Sequence, residues 1–185
     1  MKALYFETFG GSEVLQYGEL PRPVISEHEV LVEVEYIGLN FADIYRRRGE
    51  YHIEKHTPYI NGYEGAGIIV EVGAKVTKQK IGETVLFVDV PLANAEYVAV
   101  PCEQAIPLPE GIDSKLAASI GLQGMTADFL AHDLGKNVSG EIVFITGISG
   151  GVGQILSQML VADGIEVYGS ASSAEKQALA LSNGV

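Results

Sequence analysis

Two hydrophobic rhythms divide this chain. Over about its first hundred residues, apolar positions come in short runs broken by Gly, Pro or charged turns. In EVLVEVEYIGLN, Val30, Val32, Val34 and Tyr36 fall on one side and Glu33 and Glu35 on the other, which predicts a half-buried antiparallel strand. KALYFE, VLQYGEL, GAGIIVEVG, TVLFVD and AEYVAV read as further strands. Several short strands without long helices between them predict a barrel or sandwich. The exception is FADIYRRRG, a short helix or turn closed by glycine.

The rhythm changes after PLPEGIDSK. KLAASIGLQGMTADFLAHDLG is rich in alanine and leucine and predicts helix, interrupted around Gly121 to Gly124. GEIVFITG is a compact apolar strand. In VGQILSQMLVADG, Val152, Ile155, Leu156, Met159 and Leu160 recur at helical spacing and predict a buried stripe, with Gly164 placed to cap the helix. IEVYGSAS predicts a second strand, and SAEKQALALSNG a second helix stopped by Gly184. The fold class expected is α/β with a β-rich part, divided into 1–121 and 122–185.

Composition narrows the function. Of 185 residues 47% are hydrophobic and 19% charged, enough for a packed core. A net charge of −12, from 24 acidic and 12 basic residues, repels phosphate backbones and anionic lipid, so neither nucleic acid nor a membrane surface is expected as a partner. Cys102 is the single cysteine, which rules out an internal disulfide and fits a reducing compartment. With no apolar run of about 18 residues and no signal-like N-terminus, a soluble cytoplasmic protein is expected.

The chemistry-bearing motif is TGISGGVG, between the compact strand and the striped helix. Backbone N–H groups at a helix start, reached through glycines, favour a pyrophosphate. Gly150, Gly151, Val152 and Gly153 are the candidate phosphate-binding residues: Gly150 allows close approach to the phosphates, and Gly153 allows the helix to pack on the strand. The spacing Gly147-x-x-Gly150-Gly151-x-Gly153 carries one residue more than the usual fingerprint before its second glycine. An NAD site would place an acid at the end of the second strand. Here the strand end reads GSASSAEK, so Ser172, Ser173 and Lys176 face that position and suit the 2′-phosphate of NADPH. The alternative for the serines is to cap the following helix, and both roles are compatible.

With these segments in view, the chain resembles the zinc-independent quinone oxidoreductases (zeta-crystallin type) of the medium-chain dehydrogenase/reductase superfamily. GLNFADIYRRRG, PYINGYEGAGIIVEVG, AEYVAVP, LQGMTADFL and GGVG occur in the family order, and the resemblance covers all 185 residues. The resemblance implies a GroES-like β-barrel domain over 1–121. It further implies the first β-α-β-α part of an NADP-binding Rossmann domain over 122–185, with the active site in the cleft between them. It implies hydride transfer from NADPH to a quinone, with reduction of an enone or alkenal as the alternative within the superfamily. Asn40, Tyr45 and Tyr51 match positions lining the quinone pocket, and Thr126 one beside the nicotinamide. The alternative for each tyrosine is a half-buried barrel position, and for Thr126 an ordinary helical one.

The zinc-binding relatives carry Cys, His and Cys where this chain has Asn40, Tyr63 and Gln123. Amide and phenol groups are poor zinc ligands, so no catalytic metal is expected. His52 and His56 flank Glu54 at a metal-like spacing, but Pro58 and Gly62 mark the segment as loop. His28 and His132 have no evident partners and are expected at the surface. The run Arg46 to Arg48 reads mainly as a solvated helix end, with attraction of an anionic ligand as the alternative. A Rossmann sheet has six strands and two are expected here, so the chain reads as the N-terminal part of a longer protein, and the resemblance implies that the complete form is a homodimer. A non-catalytic nucleotide-binding or interaction module is the remaining alternative. A chelator is expected to leave quinone-dependent NADPH oxidation unchanged; loss on chelation with recovery on added zinc would overturn the zinc-free expectation.

Overall fold

Alternating β-branched and aromatic positions become strands wherever one face finds an apolar partner, and most of the N-terminal segments do so. In the computed structural model, which describes residues 1–53 and 57–185, the chain divides into two compact units, Met1–Gly121 and Leu122–Val185. In the first, strands β1 (Lys2–Phe6), β2 (Gln16–Glu19) and β4 (Tyr59–Ile60) form a three-stranded antiparallel sheet in the order β2-β1-β4. Strands β3 (Glu29–Ile37), β5 (Glu64–Val72), β6 (Thr84–Val88), β7 (Tyr97–Pro101) and β8 (Ala105–Pro107) form a five-stranded antiparallel sheet in the order β7-β3-β5-β6-β8. Its inner face buries Val30, Val32, Ile69, Val85, Phe87, Val98 and Val100 in one core.

β3 follows its predicted alternation only as far as Val34. The register against β5 shifts between Val34 and Tyr36, so Glu35 is the extra residue of a bulge. Beyond the bulge neither face of the strand is covered: Tyr36, expected inside, is 47% exposed and Ile37 38%.

Helix α1 (Phe41–Arg48) ends at Gly49 in the left-handed conformation, φ 74°. The expected interruption at Gly121 to Gly124 does not occur: α2 (Ser114–Asp128) is continuous and runs on into a π-helical turn, Phe129–Leu134. Gly121 serves close packing instead. A Cβ there would lie 2.9 Å from Glu64 Oε2 and 3.0 Å from Leu86 Cδ1.

The second unit follows the predicted order: β9 (Ile142–Thr146), α3 (Gly151–Ala162), β10 (Glu166–Ser170) and α4 (Ala174–Ser182), with β9 and β10 parallel. Its core gathers Ala131, Ile145, Ile148, Leu160, Ile165, Val167 and Ala180. The face that α3 buries is Gly153, Ser157 and Leu160, so only part of the predicted stripe reaches the interior, with Leu156 packed at its edge. No helix among the described residues is long and apolar enough to cross a membrane.

His132, expected without partners, is bracketed by two carboxylates. Nδ1 lies 2.7 Å from Asp128 and Nε2 2.9 Å from Asp163, tying the π-helical turn to the end of α3. The bond to Asp163, then that to Asp128, raises its pKa above the ordinary 6.5. A raised histidine stabilises the fold fully below its unfolded pKa, and that stability is lost as pH rises through the folded value. The bracket is half exposed, so the effect is screened. Melting temperature is therefore expected to fall as pH climbs from about 6.5, and to fall less in His132→Gln; identical pH profiles would refute the bracket's role.

Candidate functional site

Two clusters gather the residues that carry chemistry, one in each unit. In the first, the cluster grows from the start of α1. A helix leaves its first N–H groups unpaired, and a short polar residue three positions in can reach back to them. Asp43 Oδ2 accepts from the Asn40 backbone N–H at 2.9 Å, while Asn40 Nδ2 donates to Glu64 Oε1 at 2.6 Å. Glu64, at the start of β5, is 2% exposed. Its carboxylate occupies space left by Gly38, where a Cβ would lie 2.1 Å from Oε1. Asn40, a predicted site residue, is thus anchored to a buried charge.

Asp43 and Arg46 are buried on the inner side of α1, 3.4 Å apart between Oδ1 and Nη1. Desolvation pushes the Asp43 carboxyl above its ordinary range, outweighing the Asn40 N–H and the Arg46 charge that pull it down. The solvated helix end expected of the arginine run therefore holds for Arg48 but not for Arg46. Its guanidinium lies 3.4 Å from the Tyr63 ring centroid and 5.1 Å from that of Tyr51. Tyr45 and Tyr51 themselves are exposed. The structure brings Tyr51 to Arg46 and Asn40 to Glu64. Tyr45 has an open position on α1. Glu64 and Asp43 did not emerge from the sequence as site residues, where the available signal was an Asn and an Asp three apart at a helix start, and Arg46 emerged only within a run weighed as attracting an anionic ligand.

Among the described residues no three His, Cys, Asp or Glu side chains converge as metal ligands. The His52/His56 spacing falls partly on Glu54 and His56, outside the described residues.

The second cluster is the glycine turn. Gly147, at φ 66°, opens it, and its carbonyl accepts from Gly150 N–H at 2.8 Å. Gly150 caps α3 in an extended conformation. A Cβ at Gly153 would lie 2.7 Å from Gly147 O and 2.8 Å from Ile148 Cα, so the helix packs on the turn itself rather than on the strand. A Cβ at Gly151 would fall 1.8 Å from Gln123 Oε1, which places that amide against the helix start, and Val152 is half-buried beside it.

A cavity of about 450 Å³ opens at this turn, lined by Gly147, Ser149, Gly150, Ser170, Ala171, Ser172 and Lys176. Lys176 Nζ donates to Ser172 Oγ at 3.2 Å, so one cation and one hydroxyl stand together at the end of β10. Ser173 Oγ accepts from Lys176 N–H at 3.3 Å and caps α4, the alternative its position allowed. Thr126 Oγ1 donates to Leu122 O at 2.7 Å within its own helix. Of the residues predicted to hold the cofactor, Gly150, Ser172 and Lys176 line one cavity; Gly151, Val152 and Gly153 form the helix start beneath it.

Residues 26–138 match the alcohol dehydrogenase GroES-like domain. The chain is 36% identical over 184 residues to a quinone oxidoreductase of Pseudomonas aeruginosa, covering 99% of this chain and 56% of that protein. It superposes on the Escherichia coli quinone oxidoreductase crystallised with NADPH at a TM-score of 0.95 and 32% identity, over 99% of this chain and 56% of that one. It also superposes on the CurK enoyl reductase at a TM-score of 0.91 and 26% identity, over 100% of this chain and 57% of that one. The chain thus spans about 56% of the length of the quinone oxidoreductases compared.

The packing of Gly153 on the turn yields a direct test. Gly153→Ala sets a methyl against backbone atoms that have nowhere to move, an overpacking expected to destabilise by about 1–3 kcal/mol. A lowered melting temperature checks it; an unchanged one would refute the close contact.

Proposed function

The chain belongs to the alcohol dehydrogenase GroES-like domain family, and on that premise we propose that it carries the cofactor- and acceptor-binding groups of an NADPH-dependent, zinc-independent quinone oxidoreductase. On this reading 1–121 is the catalytic domain and 122–185 the NADP-binding part. The observation that carries it is the cavity at the glycine turn, where Lys176 and Ser172 stand at the end of β10 and no acid does. A carboxylate there would grip the ribose hydroxyls of NADH and repel a 2′-phosphate; an ammonium beside a hydroxyl does the opposite.

The pyrophosphate suits the start of α3, where Gly151 and Val152 offer backbone N–H groups and the helix dipole favours negative charge. Bound NADPH supplies the hydride. In the first unit, the Asn40 amide is anchored by Glu64, and a fixed amide can serve as a donor to an acceptor oxygen. The Tyr45 and Tyr51 hydroxyls are exposed and free of the core, so either can orient the acceptor or deliver a proton to its oxygen. Asn40, Tyr63 and Gln123 in place of thiolate and imidazole support zinc independence. Quinones accept hydride without a Lewis acid more readily than simple ketones, which favours them as substrates. Enone reduction is the second reading, supported by the likeness to an enoyl reductase. The acidic composition and single cysteine suit a cytoplasmic setting.

NADPH is expected to raise the melting temperature of the chain more than NADH does. Lys176→Ala should weaken NADPH binding roughly tenfold, a charge-assisted contact of about 1.5–3 kcal/mol less its exposure to solvent, and leave NADH within about twofold. Equal losses would refute the phosphate role. Turnover of NADPH with 1,4-naphthoquinone would exclude a purely non-catalytic module.

A further inference from the structure

Arg46 behaves unlike the run it belongs to: Arg48 is exposed and Arg47 half-buried, while Arg46 is 7% exposed. A guanidinium keeps its proton in a protein, so burial must be matched by fixed partners. Arg46 has them on its edges and on its plane. Nε donates to the His52 carbonyl at 3.1 Å, Nη1 pairs with Asp43 at 3.4 Å, and the rings of Tyr63 and Tyr51 stand 3.4 and 5.1 Å from its central carbon. Tyr63 is buried with it, whereas Tyr51 is 55% exposed. One ring is therefore locked, and the other is held at the guanidinium and open to a ligand.

We propose that Arg46 is a positioning residue for a planar, uncharged acceptor: stacked on Tyr63 and clamped at its edge by His52 and Asp43, it holds the Tyr51 ring as a fixed surface against which the acceptor packs. The inference rests on the quinone reading given above. A planar, weakly hydrated guanidinium suits this task, and a lysine ammonium keeps the charge but not the flat face. A ring already held in place spares the acceptor the entropy of ordering it. The nucleotide cavity lies in the second unit and shares no lining residue with this cluster, so the two affinities are separable.

The test uses the 185-residue chain with carbon-13-labelled tyrosine rings, titrated with 1,4-naphthoquinone by NMR and separately with NADPH. Arg46→Met is expected to shift the Tyr51 and Tyr63 ring signals and to weaken naphthoquinone about tenfold, as expected for a desolvated cation–π contact. NADPH affinity should stay within about twofold. Arg46→Lys, which keeps Asp43 paired, should show an intermediate loss of about threefold with little change in melting temperature; it decides the matter if Arg46→Met does not fold. Unchanged naphthoquinone affinity in a folded variant, or equal losses for naphthoquinone and NADPH, would overturn the positioning role alone. A wild-type chain that binds NADPH but not naphthoquinone would overturn the quinone reading and this role with it.

Discussion

A carboxylate that is almost wholly withdrawn from water must be met by donors, and Glu64 imposes that requirement on the first unit. It accepts from the Asn40 side chain, which fixes the residue at the start of α1. The Asn40 backbone N–H is in turn accepted by Asp43, whose carboxylate faces Arg46, whose guanidinium stacks on Tyr63 and reaches Tyr51. A short helix is marginal by itself. This one is held by a chain of polar contacts running from the barrel strand to the exposed tyrosine. Glycines at 38 and 121 leave the space that the Glu64 carboxylate fills.

The second unit answers a different constraint. In it, α3 packs back on the very turn that precedes it. The helix approaches so closely at Gly153 that any side chain would meet backbone atoms. The cavity at the turn is lined by Gly147, Ser149 and Gly150 and, at the end of β10 and beyond it, by Ser170, Ala171, Ser172 and Lys176. There the pairing of Lys176 with Ser172 sets the local charge against the −12 of the chain as a whole.

The strand segments, the glycine turn and the order strand, helix, strand, helix in 140–184 were legible because each follows from local periodicity and turn chemistry. The failures have particular causes. Tyr36 is exposed where a bulge at Glu35 breaks the alternation, and a bulge depends on the partner strand. Gly121 continues a helix because a carboxylate from another element needs its missing side chain. His132 gains Asp163 from 31 residues away. Arg46 is buried although its neighbours in the run are not, because only one residue of the three turns toward Tyr63.

By itself the sequence determined the kinds of chemistry available: a glycine-rich turn between a strand and a helix, a strand end bearing hydroxyls and a cation, and amides at Asn40 and Gln123 with a phenol at Tyr63. These depend on residue type and short spacing, which are properties of the chain before it folds. The tertiary structure alone decided which polar groups lose their water. Among the charged side chains of the described residues, burial selected Glu64, Asp43 and Arg46 and obliged them to find partners. Desolvation depends on what every other element covers, and that is why no local pattern could announce it.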